Sequence, residues 1–162
     1  MQVICVSIYG GDDIDFGSGS GIWVDTHDNM SVLEPFREFL GDDESKKVWH
    51  NYSFDRHVLH NHGFDVRGLG GDTMHMARLW DSARAKDGGY SLAILTEQLL
   101  NTQKRTMKQL FGRPKIKKDG TEGKEIVVPE PGELQTSLET RESWIKYSVD
   151  DSVRSIVVRY AK

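Results

Sequence analysis

Short apolar runs alternating with stretches of helical periodicity constrain this chain more than any other feature. Val3 to Tyr9 is a β-rich run broken by Gly10, Gly11 and the acidic stretch Asp12 to Asp15, which predicts a strand and a turn. The Gly- and Ser-rich segment 17–21 then leads into Ile22, Trp23 and Val24, a second strand antiparallel to the first. It lacks the Gly-Lys-Ser/Thr ending of a phosphate loop and opens no helix, so it reads as a loop. Leu33, Phe36, Phe39 and Leu40 recur with helical period, and Lys47 to His50 predicts a strand delivering the chain to Asn51. A helix follows over 53–62 with Gly63 as its C-cap, then a short strand running into a helix over Asp72 to Trp80 with His75 packed in the core. Beyond Gly88 and Gly89, Ser91 caps a helix carrying Leu92, Leu95, Leu99 and Leu100. The order ββαβαβα indicates an α/β domain with a mixed sheet.

At 162 residues the chain is long enough for one core, and nothing divides it into two units. No apolar run is long enough for a membrane span, and the N-terminus lacks a basic signal-peptide region. A lone Cys5 excludes a disulfide framework and fits reducing, intracellular conditions. The net charge of −4 conceals an asymmetry: residues 104–124 hold eight Lys or Arg against Asp119 and Glu122, a balance of +6, which leaves −10 on the rest. A basic segment on an acidic body separates a candidate phosphate-binding surface from candidate metal-binding carboxylates. That segment opens a Gly- and Pro-rich stretch at about 104–135, which predicts either a functional insertion or a flexible flap.

Two constellations carry candidate chemistry. On a last helix over about 139–160, Ile145, Val149, Val153, Ile156 and Tyr160 form an apolar stripe. The other side holds Trp144, Tyr147, Asp151, Ser155 and Val158, so Tyr147 and Asp151, four apart, project together. Taken alone, Asp151 could equally pair with Arg154 or face water. The second constellation is Asn51 to Asp55, where a strand hands over to a helix; Asp55 in a first helical turn could serve the helix dipole alone.

In order along the chain, Asn51-x-x-Phe54-Asp55, the Asp72-Thr73-Met74 segment and Tyr147-x-x-x-Asp151 resemble the DEDD 3′-5′ exonucleases of the tyrosine subclass, the proofreading domain of family A DNA polymerases. The runs 48–55, 72–81, 88–92 and 111–124 are similar to the organellar DNA polymerases of plants and protists. The resemblance implies a ribonuclease H-like 3′-5′ exonuclease fold. It implies two divalent metal ions, Mg2+ or Mn2+, acting on the 3′ end of single-stranded DNA beside an attached polymerase domain, in a mitochondrion or plastid. Asp151 and Asp55 would be metal ligands, Tyr147 would orient the attacking water, and Asn51 and Phe54 would help place the terminal nucleotide or the motif backbone. Asp150 is the second choice for Asp151. Lys115, Lys117 and Lys118 would meet phosphates, or else belong to a solvated loop.

One departure stands out. The family's first motif, Asp-x-Glu on a central strand, has no counterpart before Val3. Asp42 to Glu44 and Asp13 to Asp15 lie in polar turns unsuited to replace it. The resemblance therefore implies an N-terminally incomplete exonuclease domain over 1–162, its central strand missing and the chain alone inactive. The alternative is a catalytically inactive module that binds nucleic acid or a partner protein.

Overall fold

The computed structural model describes residues 2–85, 89–102 and 105–160; Gly88, Lys104 and the side chain of Tyr160 lie outside the described residues. The architecture is mixed α/β. Strand β1 (Cys5–Tyr9) pairs antiparallel with β2 (Gly21–Asp25). A 3-10 segment (Met30–Phe36) runs into α1 (Arg37–Gly41); Pro35 lies in the tighter segment and α1 begins two residues later. Strand β3 (Lys47–Trp49) leads into α2 (Tyr52–Asn61) and pairs parallel with β4 (Leu69–Asp72), which continues directly as α3 (Thr73–Trp80). Ser91 caps α4 (Leu92–Leu100) by accepting from the Ile94 amide, as its sequence context predicts.

Where the sequence predicts one mixed sheet, the described residues form three two-stranded sheets, β1-β2, β3-β4 and a hairpin of β5 (Arg113–Ile116) with β6 (Glu122–Val127). Among the described residues β1 has no ladder partner but β2, and β3 none but β4. What joins the first two sheets is side-chain packing: Val3, Val24, Leu33, Leu40, Val58, Leu59, Phe64 and Val66 form one buried cluster, with Val6 of β1 and Trp49 of β3 against it. The long helix α7 (Arg141–Tyr160) packs on β1, β2 and β3 alike. Its close approach is set by Gly21, where a Cβ would come within 2.5 Å of the Val149 side chain.

Three further expectations change. The strand predicted to open at Asp72 ends there, and His75 is not a core residue but lies on α3 with its side chain 54% exposed. Gly70 and Gly71 hide this strand from a propensity reading, and a Cβ at Gly70 would sit tightly against the Lys47 carbonyl at 3.2 Å, which fits a glycine at this point of the ladder. Residues 105–136 are not a flap: α5 (Met107–Phe111), a β5 (Arg113–Ile116) and β6 (Glu122–Val127) hairpin and α6 (Pro131–Thr136) fill them. Finally, the fully buried residues of α7 are Trp144 and Val158, from the face predicted to oppose the apolar stripe, so the helix is covered on both sides. No helix among the described residues is long and apolar enough to cross a membrane.

Lys47 shows how the polar backbone around β3 is satisfied. Its buried ammonium donates to the carbonyls of Phe39 (2.8 Å), Asp42 (2.8 Å) and Ser45 (2.7 Å), capping α1 and the turn after it. Burial pushes its pKa down, although Asp42 and Asp43 oppose that effect. Replacing it with an isosteric apolar chain strands three carbonyls. Lys47→Met should therefore cost about 2–4 kcal/mol, measured as a lowered urea midpoint at unchanged slope.

Candidate active site

The junctions that follow β3 and β4 converge on one carboxylate. Asn51 takes a left-handed conformation (φ 69°) between β3 and α2, a state Asn tolerates better than most residues, and it gives α2 no side-chain cap. The cap comes from Asp72 at the end of β4, directly opposite Trp49 in the ladder. Asp72 Oδ1 accepts from the Asn51 amide at 3.0 Å, and Oδ2 from the Tyr52 amide at 2.8 Å. The same side chain is the N-cap of α3, accepting from Met74 N (3.0 Å) and His75 N (3.3 Å). Burial alone would raise the Asp72 carboxyl, but these four N–H donors outweigh it and hold it below the usual carboxylate range.

An ionised Asp72 makes its neighbour's position costly. Asp55, on the first turn of α2, is partly buried and has its pKa raised to about 6, first by desolvation and then by the Asp72 charge. Two carboxylates in one low-dielectric region have thus been pushed apart, one anionic and one reluctant to ionise, a pattern found where a cation or a proton is to be held. Beside it, Phe54 is 49% exposed, an aromatic ring kept in solvent at the rim.

Tyr147 and Asp151 lie on α7, partly buried, one turn apart. Tyr147 stacks on Trp144 (centroids 6.1 Å, 19° between planes) and receives the edge of Phe111 at 6.1 Å. Asp150, the second choice from sequence, forms an ion pair with Arg154 at 2.5 Å. Asp151 carries the backbone carbonyl to which Ser155 donates, and its Oδ1 is buried.

The lysines stand on the hairpin. Lys115 pairs with Glu125 at 2.9 Å across β5 and β6, whereas Lys117 and Lys118 are exposed at the turn and carry no salt bridge among the described residues. The hairpin starts just after Phe111, the residue packed on Tyr147, so its base adjoins the aromatic group of α7. Gly112 makes the junction possible, since a Cβ there would meet the Lys108 carbonyl at 2.2 Å. The structure thus brings Asn51 and Asp55 beside Asp72, with Phe54 on the same first turn of α2, and places Tyr147 and Asp151 on α7, Tyr147 in the cluster that includes Cys5 and Trp23. The only sequence signal at Asp72 is an Asp preceding a helix start, which cannot reveal a second helix capped across the ladder. The packing of Phe111 on Tyr147 had no signal in spacing at all.

The carboxylates of Asp55 and Asp151 are hard oxygen donors suited to Mg2+. Among the described residues, however, no group of three His, Cys, Asp or Glu side chains converges as a metal site. These residues fit part of such a centre and not the whole of it.

The raised Asp55 pKa has a sign that can be checked. Since folding raises it from 3.8 to about 6, the native state holds more protons than the unfolded chain between those values. Stability from this group is present at low pH and is lost as pH rises through about 6. In the absence of divalent metal, Asp55→Asn should therefore stabilise the chain at about pH 8 by up to about 3 kcal/mol, with the gain vanishing near pH 4, as read by urea unfolding.

Comparison with known proteins identifies the family. A family model described as 3′-5′ exonuclease, of the DNA polymerase A type, matches residues 13–154. The chain is 48% identical to DNA polymerase I A, chloroplastic/mitochondrial, of Arabidopsis thaliana, over 96% of the chain and 16% of that protein. The same identity and coverage hold for DNA polymerase I B, mitochondrial, of Oryza sativa subsp. japonica. The chain spans 16% of the length of these relatives. With nearly all its length matched and the Asn51–Asp55 and Tyr147–Asp151 motifs inside the matched region, the chain belongs to the 3′-5′ exonuclease domain family of family A DNA polymerases.

Proposed function

We propose that this chain supplies part of a proofreading site that hydrolyses the terminal phosphodiester of single-stranded DNA from its 3′ end, within a larger DNA polymerase of a mitochondrion or plastid. The observation that carries the reading is Asp55: a partly buried carboxylate raised to about 6 beside an ionised Asp72 has its charged form relieved by a bound cation. Asp55 and Asp151 would hold the divalent metals, which when bound stabilise developing charge and make a bound water more acidic. Tyr147, fixed by Trp144 and Phe111, orients the attacking water through its hydroxyl. Phe54 stacks on the terminal base, a sequence-tolerant contact suited to a non-selective nuclease, and Asn51 helps place that nucleotide. Lys117 and Lys118, and Lys115 once it releases Glu125, meet phosphates along the strand.

The fold we infer for the complete domain is ribonuclease H-like, one central sheet in place of two separate ones. The β1 edge away from β2 and the β3 edge away from β4 share one buried cluster and one covering helix. A strand between them would join both ladders and remove two open edges, which are hazards for association. Acidic residues on that strand, the Asp-x-Glu of the family, would complete the ligand set begun by Asp55 and Asp151.

Two measurements check this reading. Residues 1–162 alone should digest single-stranded DNA with Mg2+ barely above background, and the domain with its completing strand should do so robustly. In the latter, Asp55→Ala and Asp151→Ala should each lower kcat by about 100-fold or more with the fold intact by circular dichroism. Robust cleavage by residues 1–162, abolished by Asp151→Ala, would refute the missing ligands; inactivity of the completed domain with binding retained would leave a binding module. For the hairpin, replacing Lys117 and Lys118 with Gln should flatten the slope of log affinity against log salt by about 0.7 per lost phosphate contact. An unchanged slope removes those lysines from the DNA surface.

A further inference from the structure

We infer that Asp72 is a positioning residue for this site: by capping α2 across the β3-β4 ladder, its carboxylate fixes the first helical turn from which Asp55 projects. The inference rests on the reading of Asp55 as a metal ligand. Capping α3 requires one side-chain oxygen, and Oδ1 meets that need through Met74 and His75. The bonds to Asn51 (3.0 Å) and Tyr52 (2.8 Å) are additional, and they satisfy the opening amides of a helix whose own N-cap residue supplies no side-chain bond.

The geometry makes α2 depend on Asp72. Asn51 is one of two non-glycine residues with positive φ among the described residues, so the chain turns sharply there, and the two amides flanking the turn both point at one buried carboxylate. A second clasp holds the same junction: Thr73 Oγ1 donates to the Trp49 carbonyl at 3.2 Å and lies 2.8 Å from His50 Nδ1. Consecutive residues of the β4-α3 corner thus grip both sides of the β3-α2 corner. Asp55 is three residues past Tyr52, so fraying or tilting of the first turn moves its carboxylate directly. Burial and four N–H donors leave Asp72 with little freedom, which suits a residue that acts through another.

Oδ1 serves Asn51, Met74 and His75, whereas Oδ2 serves Tyr52 alone, so variants can distinguish the bonds. In Asp72→Asn the remaining oxygen can still serve Met74, His75 and Asn51, while the amide NH2 faces the Tyr52 N–H. In Asp72→Ser a good cap for α3 survives and both α2 bonds are lost. The experiment is amide hydrogen exchange by NMR on the 162-residue chain, with Mn2+ alone as the probe of the metal site through paramagnetic broadening near Asp55. The expected result in either variant is exchange at Tyr52, Phe54 and Asp55 faster by about tenfold or more, with Met74 and His75 little changed and the Mn2+ midpoint raised about fivefold or more. Equal acceleration in both helices, or an unchanged first turn of α2, overturns the inference, as does an unchanged Mn2+ midpoint. Should neither variant fold, the unaltered chain still decides: a scalar coupling across the hydrogen bond from the Tyr52 nitrogen to the Asp72 carboxyl carbon supports it, and its absence overturns it. Residues 1–162 hold only part of the ligand set, so where the unaltered chain shows no Mn2+ broadening at Asp55 the exchange comparison, which does not involve metal, decides by itself whether Asp72 positions α2.

Discussion

One buried carboxylate holds the active end of this domain together. Asp72 gathers the amides of Asn51, Tyr52, Met74 and His75, so two helices that start on adjacent parallel strands share a single anionic cap. Parallel strands bring their C-terminal ends, and the N-termini of the helices that follow, to the same edge. Both helix dipoles then point their positive ends at that edge, which favours the anion sitting there. The functional consequence is a rigid platform: α2 cannot shift without leaving backbone donors unpaired.

That arrangement also explains why Asp55 differs from an ordinary first-turn acid. A surface Asp at a helix start ionises readily. Here burial and the ionised Asp72 oppose it, and the carboxyl rises to about 6. On the proposed reading, a ligand that brings positive charge would relieve this cost. Across the core, α7 supplies its own carboxylate from a helix clasped on both sides, with Trp144 and Val158 buried and Tyr147 stacked in an aromatic group. The two motifs stand on separate elements, and β3 links them, preceding Asn51 and packing on α7.

Much of the local structure was legible because it follows from patterns within a few residues. The β1-β2 pair, the β3 strand, α2 with Gly63 at its end and the Ser91 cap of α4 all appear where apolar period and capping chemistry place them. The failures have a common cause. Gly70 and Gly71 lie in a strand against their propensity, paired with β3 and with Gly70 close against the Lys46–Lys47 backbone, and the Gly- and Pro-rich segment folds because its hairpin is a two-stranded ladder, all edge, where Pro114 is tolerated. His75 changed from core to surface when the helix boundary moved to Thr73. In α7, the buried face could not be chosen from the sequence, since a helix covered on two sides has no single apolar stripe.

The sequence by itself determined the family, through motifs whose order and residue types are demanded by the chemistry, and the run of elements that carries them. It also separated a basic segment from an acidic body. Only the tertiary structure decided that the sheet is split into separate ladders among the described residues, that Lys115 pairs with Glu125, and that Asp72 caps a helix 20 residues away in the chain. The physical reason is range: propensity, capping and period act over one or two turns. Ladder partners, shared carboxylates and the direction of a buried helix face are set by residues that meet only after the chain has folded.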